Sequence, residues 1–458
     1  MTPTLLQADS LAVMAGELAY HAATHSKPHS PQMHLVPAGS ATQLFLANGS
    51  RLHSISDETA ATLKQLQEQK NEAAITATLA ALGLDAPPAI DDTPLKNPKT
   101  YALSLAIAQK CNMGCAYCYA DQGDFGGPIK NMPLTTAKRS IDLLLADCTA
   151  GSKVQLTFLG GEPLVNRKAL REATQYASEQ GKLKNVQVNF SITTNGTLLK
   201  ADDAAFFEQH GFAVTISLDG IGEQHDRLRP LKNGSGTYAQ IIENIQPLLQ
   251  MQRKMQVSAR VTVTPLNMDL AQTLQEFIGM GFHSVGFSPL LRSSNGQGEM
   301  TQQDLEQMLQ GMIACGLLFE QHVLAGKRFP FLNMVNALKE IAKGTHRPYP
   351  CGAGAGYMGV SADGELAACH RFVNEPAGRM GSLDNGVDHT LQNNWLATRH
   401  VHQQQPCNQC WARYLCGGGC HHEVLEKGRT ACDYIRGWLH YTIQAHARIT
   451  RLAPHWYK

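Results

Sequence analysis

The first hundred residues contain no cysteine, although the 458-residue chain has twelve. Ten of the twelve crowd into two stretches, Cys111–Cys118 and Cys351–Cys432, and only Cys148 and Cys315 stand apart. Excess charge is missing as well. With 39 lysines and arginines against 38 aspartates and glutamates, nothing electrostatic favours a nucleic acid or an anionic membrane as partner. No apolar run reaches the length that spans a bilayer. The opening MTPTLLQADSLAVMAGELAY lacks the basic segment and long apolar stretch of a secretion signal. The cytoplasm is the expected compartment. Disulfides are rare there, so clustered cysteines point to metal or redox chemistry. Cys148 ends an apolar helical pattern and Cys315 lies inside one, so both read as small buried hydrophobes.

The chain divides into three expected parts, residues 1–95, 96–345 and 346–458. In the first, residues 1–30 form a loose arm or one helix. TQLFLA and SRLHS flank Asn48-Gly49, a hairpin signal over 42–54. Ser56 or Asp57 caps a following helix, and a second helical pattern runs to about Leu84. Pro87, Pro88, Pro94 and Pro98 mark a linker. From residue 101 strands alternate with helical patterns, at 102–108, 153–159, 186–192, 213–218, 257–264 and 284–290. Six such units imply parallel strands joined by crossover helices, an α/β fold built as a partial or full barrel. Residues 301–345 are mostly helical. The Gly- and Cys-rich stretch 346–432 has little helical periodicity and reads as a metal-stapled unit, with a last helix from about Asp433.

The first cysteine cluster, Cys111-Asn-Met-Gly-Cys115-Ala-Tyr-Cys118, follows the first strand of this series. Three thiolates fit three corners of a 4Fe–4S cluster and leave the fourth iron open. The strand's carboxyl end is where α/β barrels place their chemistry. A structural zinc loop is the alternative, but zinc takes four protein ligands at a closed site, and no nearby His or Cys completes one. The motif resembles that of the radical S-adenosylmethionine superfamily. The resemblance implies that the open iron chelates S-adenosylmethionine and that an electron from the cluster cleaves it to methionine and a 5′-deoxyadenosyl radical. It implies that Tyr117 packs near the adenine and that Gly160-Gly161-Glu162-Pro163 is the family's GGEP motif. Glycine there lets backbone approach the ligand, and Glu162 accepts from the methionyl ammonium. Thr193-Thr194-Asn195-Gly196 and Ser217-Leu218-Asp219-Gly220, after the third and fourth strands, match ribose- and carboxylate-side positions, with Thr194, Asn195, Ser217 and Asp219 as contacts. Arg260 on the fifth strand is a further candidate.

The second set runs Cys351, twelve residues, Gly364, four residues, Cys369, then Cys407-x2-Cys410-x5-Cys416-x3-Cys420 and, after eleven residues, Cys432. This spacing resembles the SPASM domain, which carries auxiliary 4Fe–4S clusters in radical enzymes acting on peptides. By that resemblance Cys407, Cys410, Cys416 and Cys432 hold a distal cluster, and Cys351, Cys369 and Cys420 hold one nearer the active site, three 4Fe–4S clusters in all. Sulfatase-maturing relatives have a further cysteine about six residues before the position of Cys351. Here that stretch reads His346-Arg-Pro-Tyr-Pro350, so one iron lacks an obvious thiolate. A substrate cysteine is one candidate for it; Cys315 or a nearby carboxylate or His is the other. His370, His421, His422 and Glu423 flank cluster cysteines and read as hydrogen-bonding neighbours rather than ligands.

Three stretches narrow the resemblance. Cys118-Tyr-Ala-Asp-Gln-Gly-Asp-Phe-Gly-Gly127 is similar to thioether-forming peptide maturases. Cys369-His-Arg-Phe372, Cys410-Trp-Ala-Arg-Tyr-Leu-Cys416-Gly-Gly-Gly-Cys420-His-His-Glu423 and Cys432-Asp-Tyr-Ile-Arg-Gly-Trp438 are similar to quinohemoprotein amine dehydrogenase maturation enzymes. The N-terminal hairpin and helices resemble the leader-binding element of such maturases, which grips peptide by strand addition. The implied function is cross-linking of a ribosomally made precursor peptide or small protein subunit, by a thioether or by a carbon–carbon cyclophane bond. A flavodoxin or ferredoxin is the implied electron donor. The rival of another class is a non-catalytic iron–sulfur scaffold or electron carrier.

Overall fold

The computed structural model describes residues 8–39, 41–85 and 91–457. Its N-terminal part holds α1 (Ala8–His25), β1 (Met33–Ala38), β2 (Ala41–Leu46), β3 (Arg51–Ile55), α2 (Asp57–Glu68) and α3 (Glu72–Ala81). The hairpin falls where Asn48-Gly49 put it, with Gly49 at φ 75° in the turn. Ser56 Oγ accepts from the Thr59 amide and Asn71 Oδ1 from the Ala74 amide, which satisfies free donors at the starts of α2 and α3. β1 completes an antiparallel sheet ordered β1-β2-β3. Its pattern was illegible because Pro37 interrupts a run of only six residues.

The next series is β4 (Ala102–Gln109), β5 (Lys130–Asn131), α4 (Leu134–Ala146), β6 (Lys153–Gly160), α5 (Arg167–Lys184), β7 (Gln187–Thr194), α6 (Ala201–His210), β8 (Ala213–Ser217), α7 (Glu223–Leu228), α8 (Tyr238–Gln250), β9 (Gln256–Val263), α9 (Leu270–Gly279), β10 (Ser284–Pro289), α10 (Gln302–Leu324) and α11 (Leu332–Ala342). β4, β6, β7, β8, β9 and β10 pair in parallel, each with the next. All their carboxyl ends therefore face one side, and the sequence motifs lie there. β4 is buried at every position, as a strand with neighbours on both edges and cover on both faces must be. β5 caps its end as a short antiparallel partner.

The C-terminal part contains β11 (Tyr357–Val360), β12 (Glu365–Ala367), β13 (Arg379–Ser382), β14 (Gly386–Val387), α12 (His389–Arg399), α13 (Arg413–Cys416), α14 (His421–Lys427) and α15 (Cys432–Leu452). β11 adds to the free edge of β4 in parallel, and β12–β14 continue the sheet antiparallel. This pairing brings Cys369, two residues past β12, beside the strand that leads into Cys111. No described helix is long and apolar enough to cross a membrane.

The described residues of the N-terminal part pack on the rest of the chain. Leu11, Ala15, Ala19 and Ala22 form one buried stripe of α1, which packs on α10 and α15. Trp411, fully buried next to Cys410, donates its Nε1–H to Ser26 O at 2.8 Å and stacks on His34 with centroids 3.9 Å apart.

Candidate active site

The Cys111–Cys118 loop is fixed from three sides. Gly123 has φ 109°, and a Cβ there would lie 2.7 Å from Gly161 Cα and 2.8 Å from Cys111 Cβ. A Cβ on Gly160 would meet Ala108 O at 2.2 Å, and one on Gly161 would meet Lys110 C and O at 2.5 Å. The two glycines of the GGEP motif thus let strand β6 press against the end of β4 and the backbone that leads into the cysteine loop. The third brace is Asn195: its Nδ2–H donates to Asn112 Oδ1 at 3.0 Å and lies 3.8 Å from Cys111 Sγ. Asn112 in turn donates to Thr197 Oγ1.

Glu162 is wholly buried. Its Oε1 accepts from Leu164 N at 3.0 Å and Thr194 Oγ1 at 2.8 Å, and its Oε2 from Asn195 N at 2.8 Å. Burial pushes its pKa up and these bonds oppose that. Pro163 opens the short helical turn that follows. Asp219 is also fully buried; its Oδ1 accepts from Thr262 N at 2.7 Å, and its Oδ2 from the Tyr117 hydroxyl and from Arg229 Nη1 at 3.3 Å. Burial raises this carboxyl, with Arg229 acting against it. Ser217 ends β8, half-buried, two residues away. Tyr117 does not offer a free edge: its ring packs with Met113, Cys115, Leu228 and Leu290.

Arg260 lies on β9. Its guanidinium bonds Ser288 Oγ, and Arg371, Glu423 and Tyr434 act on its charge after the dominant effect of burial.

The clustered thiols act on one another in three sets. Within each group the thiolates repel one another, adding to the upward pKa shift that burial produces: Cys111 with Cys115 and Cys118, Cys369 with Cys351 and Cys420, and Cys407 with Cys416, Cys432 and Cys410. None is paired in a disulfide. Cys315 is fully buried, and Tyr434 and Tyr441 are the groups its charge acts on.

Tyr119 joins two of these groups. Its ring meets His370 edge-on at 5.8 Å and lies under the Arg371 guanidinium at 5.1 Å. After burial and Arg371, the charges of Cys118, Tyr357 and Cys369 act on its hydroxyl. Arg371 is held by Glu423 at 2.8 Å, and His370 Nδ1 by the Tyr357 hydroxyl at 2.8 Å. The loops after Cys118 and after Cys369 therefore face each other directly.

Residues 105–277 match the family model described as the Radical SAM superfamily. The protein is a radical SAM enzyme. It is 25% identical over 352 residues to a serine-type anaerobic sulfatase-maturating enzyme of Klebsiella aerogenes, covering 73% of this chain and 84% of the relative. To a cysteine-type anaerobic sulfatase-maturating enzyme of Clostridium novyi (strain NT) it is 26% identical over 345 residues, 70% and 88% of the two chains. Native anSMEcpe with bound AdoMet and Cp18Cys peptide shares the fold at TM-score 0.63 and 19% identity, over 78% of this chain and 100% of that one. Streptococcus suis SuiB bound to precursor peptide SuiA does so at TM-score 0.53 and 14% identity, over 87% and 96%. Membership implies S-adenosylmethionine and a 4Fe–4S cluster, and the Cys111 loop has the donors for them.

Sequence reasoning missed Arg229, the buried cation of the radical SAM site, and His225, whose Nδ1 accepts from Asp219 N at 3.2 Å. Burial, then Arg229, pushes His225 down to about 3, so it stays neutral. Their signal was the His225-Asp226-x-x-Arg229-Pro230 run just after a strand-end motif. A second constellation lies outside the site. Asp92, His400 and His402 are the one set of three His, Cys, Asp or Glu ligand atoms within 4.8 Å of one another among the described residues. His400 Nδ1 accepts from the His402 amide, and His346 Nδ1 from the Gly49 amide. That leaves Nε2–H on both rings, facing Asp92 at 3.1 and 3.5 Å. A protonated nitrogen is no metal ligand, so this is a hydrogen-bonded hub on Asp92.

Proposed function

We propose that this radical SAM enzyme is a peptide maturase of the SPASM type, carrying three 4Fe–4S clusters, that installs a thioether in a ribosomally made peptide or small protein subunit. Cys111, Cys115 and Cys118 hold the radical cluster. Cys351, Cys369 and Cys420 hold an auxiliary cluster, and Cys407, Cys410, Cys416 and Cys432 the distal one. When bound, S-adenosylmethionine supplies a 5′-deoxyadenosyl radical that abstracts a hydrogen atom from carbon. Glu162, Thr194 and Asn195 form one hydrogen-bonded unit that fixes the loop at that cofactor, and Asp219 with Tyr117 forms its far wall. The N-terminal sheet and helices are the peptide-recognition element, and a flavodoxin or ferredoxin in the cytoplasm delivers the priming electron.

The observation that carries this reading is the contact of the two cysteine loops through Tyr119, His370 and Arg371. Arg371, held by Glu423, lies at this contact. The names of the relatives, sulfatase-maturating enzymes and a protein bound to its precursor peptide, support a peptidic substrate. The overall change balances without external oxidant: S-adenosylmethionine, one C–H and one S–H give methionine, 5′-deoxyadenosine, one C–S bond and a proton. Incubating the reduced enzyme with the peptide encoded beside its gene should yield a product lighter by two hydrogen atoms, with its cysteine no longer alkylatable. A product that has lost two hydrogens but keeps an alkylatable thiol would replace the thioether by a carbon–carbon cross-link.

A further inference from the structure

The segment after α7 is built onto the radical-cluster loop. Gly114 N donates to Pro230 O at 2.9 Å, and Met113 pairs with Leu231 in an antiparallel bridge. This pairing fixes Arg229 under the loop. Its side chain is only 12% exposed. Nη1 donates to the Tyr117 hydroxyl at 2.7 Å and to Asp219 Oδ2 at 3.3 Å, while the buried Nε has no partner. A guanidinium keeps its charge at any accessible pH, and neighbouring anions hold this one on more firmly still.

We propose that Arg229, opposed by Asp219, is the charge pair that sets the reduction potential of the cluster held by Cys111, Cys115 and Cys118. The inference rests on the reading of those three cysteines as cluster ligands. Adding an electron to a cluster adds negative charge in a buried place, so a fixed cation favours the reduced form and a fixed anion disfavours it. Arg229 is joined to the cysteine loop itself, through the Tyr117 hydroxyl next to Cys118 and through the pairing of Gly114 and Met113 with Pro230 and Leu231. Asp219 bonds the same Tyr117 hydroxyl. Arg229 is a positioning residue for Tyr117 as well, but position and charge separate experimentally.

The test is an electron paramagnetic resonance redox titration of the reconstituted full chain without S-adenosylmethionine. The C111A/C115A/C118A chain identifies which signal belongs to this cluster. Arg229→Gln should lower its midpoint by at least about 59 mV, a tenfold change for one electron. Arg229→Lys keeps the charge and should stay closer to wild type than Arg229→Gln. Asp219→Asn should move the midpoint up. The other clusters, in the same molecules, should keep their potentials. An unmoved midpoint in Arg229→Gln at full iron content, or shifts of the same sign in Arg229→Gln and Asp219→Asn, would overturn the proposal. If Arg229→Gln loses iron, the sign in Asp219→Asn decides. A wild-type chain without any signal that depends on the three cysteines would refute the cluster reading itself.

Discussion

Replacing Glu162 by Gln probes the centre of the cofactor site with one atom. The carboxylate accepts three hydrogen bonds, two on Oε1 and one on Oε2, and all three donors are fixed by backbone or by Thr194. A glutamine must turn its NH2 toward at least one of them. Placed at Oε2 it opposes Asn195 N–H at 2.8 Å; placed at Oε1 it opposes two donors. Losing a charge-assisted bond costs about 1.5–3 kcal/mol and stranding a buried donor a similar amount, so a total of about 3–6 kcal/mol is expected. Part of this appears in stability, because Glu162 joins the ends of β6 and β7. Part appears in affinity, because Oε2 keeps a free lone pair for the methionyl ammonium. Loss of that charged bond alone weakens S-adenosylmethionine binding about 10- to 150-fold. Denaturation followed by tryptophan fluorescence reads the first effect, and equilibrium dialysis the second. Thr194→Val, which removes one neutral donor, should cost only about 1 kcal/mol. An unchanged dissociation constant with lowered stability would make Glu162 a strand staple only, and no change in either would refute the reasoning.

Deleting residues 1–95 should abolish peptide modification while uncoupled S-adenosylmethionine cleavage persists; iron analysis should show loss of about a third of the iron, the distal cluster, because Trp411 beside Cys410 loses Ser26 and His34. Retention of all iron would refute that coupling. The buried His34–His440 pair, 2.9 Å apart, should make the fold acid-labile. Burial, then His21 and His25, lowers His440 to about 3, so the unfolded chain binds more protons between about pH 6.5 and 3 and stability falls with pH there. Each histidine contributes at most about 1.4 kcal/mol per pH unit, and a His440→Gln chain with an unaltered pH profile of unfolding would contradict this. A cysteine-containing substrate peptide should perturb the paramagnetic signal of the Cys351, Cys369 and Cys420 cluster, and its Cys→Ser version should not; a permanent fourth protein ligand on that cluster would defeat the expectation.

The six parallel strands were legible because each is a short apolar run, and the first four end in a motif; both properties are local. The grouping of the thiols was an expectation drawn from the resemblance to the SPASM domain, whose cysteine register the chain matches. What was hidden depends on distant pairing. β11 joins β4 across the whole core, and Tyr357 reaches Ser104 over 253 residues. Arg229 meets Tyr117 over 112 residues, and no periodicity marks it. The GGEP glycines were legible as a motif, whereas the tight approach of backbone to backbone that they permit was not.

The central claim is that the Cys111, Cys115 and Cys118 loop performs reductive cleavage of S-adenosylmethionine. The direct measurement is 5′-deoxyadenosine formed by the anaerobically reconstituted, dithionite-reduced chain. The account predicts formation by the wild type and none by the C111A/C115A/C118A chain, which should still retain about two thirds of the iron. Equal formation by both chains would contradict it.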